Sequence, residues 1–273
     1  MNRWNSRQKT LVFALSGAAF LLTITFAGLF FQPCALQTDF TRANLPPGPD
    51  FLFGTDWMGR DMFVRTLAGL SLSIRIGLLT AAVSAVTALL LGTAAAAGRR
   101  LDAAVSWLTD LVLGVPHILL VILISLAFGR GFWGVVAGVS LSHWPSLTRL
   151  FRGEVLALYH TPYVRAAQKL GAGRREILRR HLLPHLLPQL LTGLVLQFPH
   201  AILHEASVTF LGFGLSSEQP AIGVILSESM RYLTTGKWWL ALFPGLSLLL
   251  VVALFAALGD CLRRLLDPSS VHE

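Results

Sequence analysis

Six stretches of this chain are long and apolar enough to cross a hydrocarbon layer, and they constrain its fold more than any other feature. They run from Leu11 to Phe31, Ser71 to Ala97, Val105 to Phe128, Phe132 to Leu147, Leu186 to Phe210 and Trp238 to Leu258. A layer about 30 Å thick takes about 20 apolar residues per helix. The reading is an all-α integral membrane protein with six transmembrane helices. Composition agrees, because 54% of the 273 residues are hydrophobic and 13% charged, against about a quarter charged in soluble domains. That leaves no room for a sizeable soluble domain and excludes a disordered chain.

The first run follows Arg3, Arg7 and Lys9. It is longer than the roughly 7 to 15 residues of a signal h-region and has no small-residue cleavage site, so it is expected to stay as the first span. The fourth run is the shortest and carries Gly134 and Gly138, a pair suited to close helix packing. Pro116, Pro199 and Pro244 are expected to kink their spans. Cys34 and Cys261 have no metal or redox spacing and fall on opposite faces, so no bridge between them is expected.

Net charge is +8, from 22 Lys+Arg and 14 Asp+Glu. In a soluble chain that would point to nucleic acid; across a membrane it reports topology. With both termini inside, the inner segments hold 15 of the 22 basic residues. The longest inner segment is Arg149 to Pro184. From Pro162 it repeats small and apolar residues on one helical face, and Gly171-Ala172-Gly173 ends that helix. A second short amphipathic helix, Arg174 to Leu183, is expected to stop at Pro184. The pair makes a basic knob, which either lies on anionic headgroups or docks a partner inside the cell. On the outer side, Gly54-Thr55-Asp56 and Gly59-Arg60-Asp61 suggest a tight, hydrogen-bonded turn.

Several of these segments together resemble one family. Arg165-Ala166-Ala167, then Gly171 and later Leu183-Pro184, is similar to the loop of bacterial ABC importer permeases, with Arg165 standing where the family pattern has Glu. Gly54-Thr55-Asp56 with Gly59-Arg60-Asp61, Phe210-Leu211-Gly212-Phe213-Gly214, Pro244-Gly245, and Gly259-Asp260-Cys261-Leu262-Arg263 with Leu266-Asp267-Pro268 resemble the dipeptide, oligopeptide and nickel branch, C-type. The resemblance implies a type I ABC importer permease of the bacterial inner membrane, multi-pass, with both termini cytoplasmic. Residues 1–70 would hold the first transmembrane helix and a periplasmic loop. Residues 71–273 would form a five-helix permease core with its coupling loop at about 149–184. Arg165, Ala166, Ala167, Gly171 and Pro184 would couple to the ATPase.

The implied partners are a homologous permease forming a heterodimer, two cytoplasmic ATPases, an extracytoplasmic binding protein and the lipid bilayer, with no nucleic acid. No Gly-x-x-x-x-Gly-Lys-Ser/Thr loop occurs here. This chain is therefore expected to bind no cofactor, with ATP and Mg on the partner ATPases. The segment Gln219 to Trp239, with Glu228, Arg231 and Tyr232, is either a short helix contacting the binding protein or a solvated loop.

His200 and His204 lie four apart beside Glu205, so both imidazoles share one helical face and are candidates for a metal or substrate path. A neutral histidine can equally hydrogen-bond between packed helices. His200 and His204, with Leu141-Ser142-His143-Trp144, resemble the nickel permease, whereas Glu205 also matches the peptide permeases. Import of nickel, free or chelated, is the first expectation and import of dipeptides or oligopeptides the alternative. His143 is read as an aromatic-belt anchor near the inner end of span four, and His117 as a possible lining residue. An intramembrane metallohydrolase is a poor match, since a zincin helix needs His-Glu-x-x-His and Ala201 follows His200. A secondary transporter would show inverted repeats, and none is found.

Overall fold

A computed structural model describes residues 6–96 and 98–266. Arg3, Ala97 and the Asp267-Pro268 pair lie outside the described residues. Ten helices follow in order: α1 (Ser6–Phe30), α2 (Met62–Ala95), α3 (Arg99–Leu113), α4 (His117–Ala127), α5 (Phe132–Tyr159), α6 (Pro162–Lys169), α7 (Arg174–Ile177), α8 (Leu183–Phe210), α9 (Ile222–Leu233) and α10 (Trp239–Leu266). Among the described residues, four helical segments are long and apolar enough to span a membrane: α1, α2, the α7–α8 rod and α10. The bent α3–α4 pair is a fifth. The sixth expected span is α5, whose 28 residues reach about 42 Å. Only its first half is apolar, because Arg149, Arg152 and Glu154 occupy the second.

The long helix α2 forms the spine and packs against α1, α5 and α8. Glycine permits two of the closest approaches. A Cβ at Gly28 would sit 2.3 Å from the Leu67 carbonyl, and one at Gly138 would sit 2.7 Å from that of Val121 in α4. Small residues let backbones meet in lipid, where apolar surface alone does not drive helices together. Buried hydroxyls and amides add bonds between helices: Ser71 donates to the Thr25 carbonyl at 2.8 Å, Ser84 to that of Ser140 at 2.8 Å, and Gln197 to that of His143 at 3.0 Å.

Three boundaries differ from the sequence expectation, each for a local reason. First, α2 starts at Met62, well before Ser71, because the Asp61 carboxylate caps it, accepting from the amides of Phe63 at 2.8 Å and Val64 at 3.3 Å. Position 70, taken as the end of the first unit, therefore falls inside α2. Second, Val105 to Phe128 is two helices bent by 99°, with Pro116 extended at ψ 122°. Third, Pro184 does not stop the knob's second helix. Proline removes a donor and crowds the carbonyl four residues back. The wider π turn at Leu178–Leu182 accommodates this, so α7 runs on into α8.

Candidate functional site

The knob is anchored from within the bundle. Val164 of α6 and Ile177 of α7 are fully or almost fully buried, in one cluster with Phe151, Val155 and Leu158 of α5 and with Leu182 and Leu186. Pro162 occupies the first turn of α6, where its missing N–H costs nothing. A Schellman motif closes the helix: Ala172 N–H donates to the Ala167 carbonyl and Gly171 N–H to that of Gln168, both at 3.0 Å. Gly171 has φ +89°, yet a Cβ there would touch nothing. Glycine is needed here for conformation, not for space. Next to it, Leu170 is 88% exposed, an apolar tip among the basic side chains Arg165, Lys169, Arg174 and Arg175. Arg165 reaches back to His160, whose Nδ1 lies 3.1 Å from the guanidinium. Ala166 and Gly171 are exposed on the knob, Ala167 is half-buried and Pro184 sits at the knob's junction with α8.

A cavity of about 1150 Å³ opens beside the knob. Its walls include Glu154, Pro184, His185 and Arg263 at the knob end, and His117, His143, His200 and His204 further in. From Pro184 to His204 along α8 is about 30 Å. The sequence pair His200 and His204 both line this cavity, and His204 Nδ1 bonds the backbone carbonyl of His200 at 2.7 Å. The His204 ring packs against His117 and His143, with centroids 4.4 and 5.0 Å apart, and His117 lies 4.5 Å from His143. Glu205 faces away: it is 0% exposed and its Oε1 accepts from Thr209 at 3.1 Å.

Sequence reasoning placed His143 in an interfacial belt because span four was expected to end at Leu147. The helix continues to Tyr159, which puts His143 mid-helix, and Trp144 is buried rather than interfacial. Pro116 was the available signal for His117, since the break it imposes turns that residue into the cavity wall.

At the opposite end of the bundle, the residues of the Gly54–Asp61 motif build a clasp. Thr55 and Asp61 form an antiparallel bridge. Gly54 and Gly59 take φ of +71° and +72°, and a Cβ at Gly59 would overlap the Asp39 carbonyl at 1.8 Å. The Asp56 carboxylate accepts from the Met58 and Arg60 amides at 2.9 and 3.0 Å, from Arg60 Nε at 2.6 Å and from Arg65 Nη1 at 2.9 Å. Arg65 and Arg60 then reach Glu228 of α9, at 2.7 and 3.3 Å. Two arginines and two carboxylates thus make a neutral quartet joining loop, α2 and α9, buried except at Glu228, whose side chain is 24% accessible. Arg65, 2% exposed, and Glu228 both lie outside the motif, and Arg65 is the member that the sequence reading did not single out. Its signal was a lone arginine in the first turn of an apolar helix, where a charge needs a partner. The segment around Glu228 is a packed helix, with Ile222, Val224 and Ile225 buried.

Residues 88–271 match the family described as "Binding-protein-dependent transport system inner membrane component". The dipeptide transport system permease protein DppC of Bacillus subtilis (strain 168) is 32% identical over 251 residues, 91% of this chain and 78% of that protein. A putative peptide transport system permease protein of Brucella suis biovar 1 (strain 1330) is 39% identical over 223 residues, 82% of this chain and 75% of that protein. The oligopeptide transport system permease protein OppC of Bacillus subtilis (strain 168) is 32% identical over 269 residues, 98% and 88% of the two chains. In fold, the chain is similar to the inward-facing MetNI methionine ABC transporter, with TM-score 0.63 at 18% identity over 76% of this chain and 98% of that one. The chain belongs to the inner-membrane permease family of binding-protein-dependent ABC importers, as a transporter subunit and not an enzyme.

Proposed function

We propose that this permease imports short peptides, with a homologous permease as its heterodimeric partner, two cytoplasmic ATPases carrying ATP and Mg, and an extracytoplasmic binding protein. Sequence alone put nickel first. The observation that carries the peptide reading is the naming of the relatives: permeases similar over most of this chain are described as dipeptide, oligopeptide or peptide permeases. The cavity supports it, being far larger than a bare ion needs.

In this reading the basic end of the bundle faces the cytoplasm, as the excess of Lys and Arg favours. Ala166, Ala167, Leu170 and Gly171 of the knob engage the ATPase, and closure of the ATPases pulls on α6 and α7. Because both helices are seated in the same buried cluster as α5 and α8, the pull reaches the cavity walls. Coupling of this kind requires contacts that differ between the two ATPase states. His200 and His204 then lie along the cargo path, with Glu205 behind it.

The test is initial uptake of a radiolabelled dipeptide and of radiolabelled nickel, in cells with and without this gene and with the neighbouring transporter subunits present. Gene-dependent dipeptide uptake, with nickel unaffected, is expected. Gene-dependent nickel uptake that excess dipeptide does not reduce would overturn the peptide reading.

A further inference from the structure

We propose that His117, His143 and His204 form a binding site for a single divalent transition-metal ion at the end of the cavity away from the knob. Their ligand atoms lie within 4.8 Å of one another. Three nitrogens on one tetrahedral ion, each about 2.0–2.1 Å from it, sit about 3.3 Å apart. Side-chain rotation about χ1 and χ2 is what closes the difference on binding.

The hydrogen bonds prepare the nitrogens for a cation. His143 Nδ1 lies 2.8 Å from the Val139 carbonyl and His204 Nδ1 2.7 Å from that of His200. A carbonyl only accepts, so each Nδ1 carries the proton and each Nε2 presents a lone pair. That is the arrangement in which a backbone carbonyl orients a metal-binding imidazole from behind. The Nε2 atoms of His143 and His117 are buried without any hydrogen-bond partner. Two buried ring nitrogens without a partner, beside His204, are costly to leave unmatched. A cation satisfies all three. Imidazole nitrogens suit zinc, nickel and copper, whereas magnesium and calcium take oxygen ligands. No carboxylate completes the set, since Glu205 points away, so a fourth position stays open towards the cavity.

The ligands come from α4, α5 and α8. An ion held by all three ties those helices together where they line the cavity. In a transporter, which is the reading above, that tie opposes parting of the walls, so a bound ion slows peptide uptake. The binding itself does not depend on what the chain transports.

The test uses the assembled transporter purified in detergent, titrated with Co²⁺ as the spectroscopic probe and Zn²⁺ as competitor. Expected is a tetrahedral cobalt spectrum, one site per copy of this chain, displaced by zinc, with affinity reduced at least 10-fold in H117Q, H143Q and H204Q and unchanged in H200Q. H204C separates lost ligation from misfolding, because it retains a ligand and adds a thiolate-to-cobalt charge-transfer band. Absence of a tetrahedral spectrum, equal loss in H200Q, or no charge-transfer band in a normally assembled H204C overturns the site. No cobalt binding by the wild-type transporter with peptide uptake intact rejects the metal and leaves the transport reading standing; metal binding without peptide uptake does the reverse.

Discussion

Replacing Arg65 by methionine tests whether the Asp56–Arg60–Arg65–Glu228 clasp holds this end of the bundle together. Methionine keeps most of the volume and none of the charge. In the wild type, Arg65 binds Asp56 at 2.9 Å and Glu228 at 2.7 Å, and it is 2% exposed beside an Asp56 that is 3% exposed. Arg60 remains in the variant, 2.6 Å from Asp56 and 3.3 Å from Glu228, but one cation now faces two carboxylates. Removing one partner of a buried ion pair costs about 3–5 kcal/mol, mostly through the charge left uncompensated. At about 2–4 °C per kcal/mol for a protein near this size, the melting temperature of the purified complex falls by roughly 6–20 °C.

Two companions sharpen the experiment. R65M/E228Q restores charge balance and loses less than the sum of its single variants, as groups in one network do. R42M removes an exposed pair, with Arg42 and Asp39 side chains 59% and 44% accessible, and leaves melting unchanged. An R65M melting temperature within 2 °C of wild type, measured by intrinsic fluorescence or scanning calorimetry, would refute the assignment of the quartet as a clasp.

Other expectations follow from single positions. G171V has room for its side chain but strains a φ of +89°, by about 1–2 kcal/mol. Basal ATP hydrolysis by the assembled complex should persist while peptide uptake drops several-fold, and unchanged uptake would count against the knob as the coupling element. G138L drives a side chain into the Val121 carbonyl, 2.7 Å from the new Cβ; a loss of about 1–3 kcal/mol should show as earlier melting and poorer assembly. E205Q leaves the cobalt spectrum unchanged, because that carboxylate faces Thr209 and not the three imidazoles; a lost or shifted spectrum would return Glu205 to the metal path.

Much of this protein was legible before folding. Six apolar runs predict the helices, because each span must satisfy its own backbone in lipid, and that requirement acts locally along the sequence. The knob was legible too, from Pro162 at its start and Gly171 at its turn, since caps and positive φ are properties of a few adjacent residues. The outer turn announced itself through Gly54 and Gly59 for the same reason.

What remained hidden depended on distance through space. His200 and His204 share a helical face by spacing alone, and both line the cavity. Only the packing of α4, α5 and α8 brings His117 and His143 to His204. Arg65 and Glu228 are 163 residues apart, so no local pattern pairs them. The sequence determines helices and turns because those follow from periodicity and capping along the chain. The tertiary structure alone decides which side chains share a site, because helix faces are chosen by packing against neighbours that the local sequence does not contain.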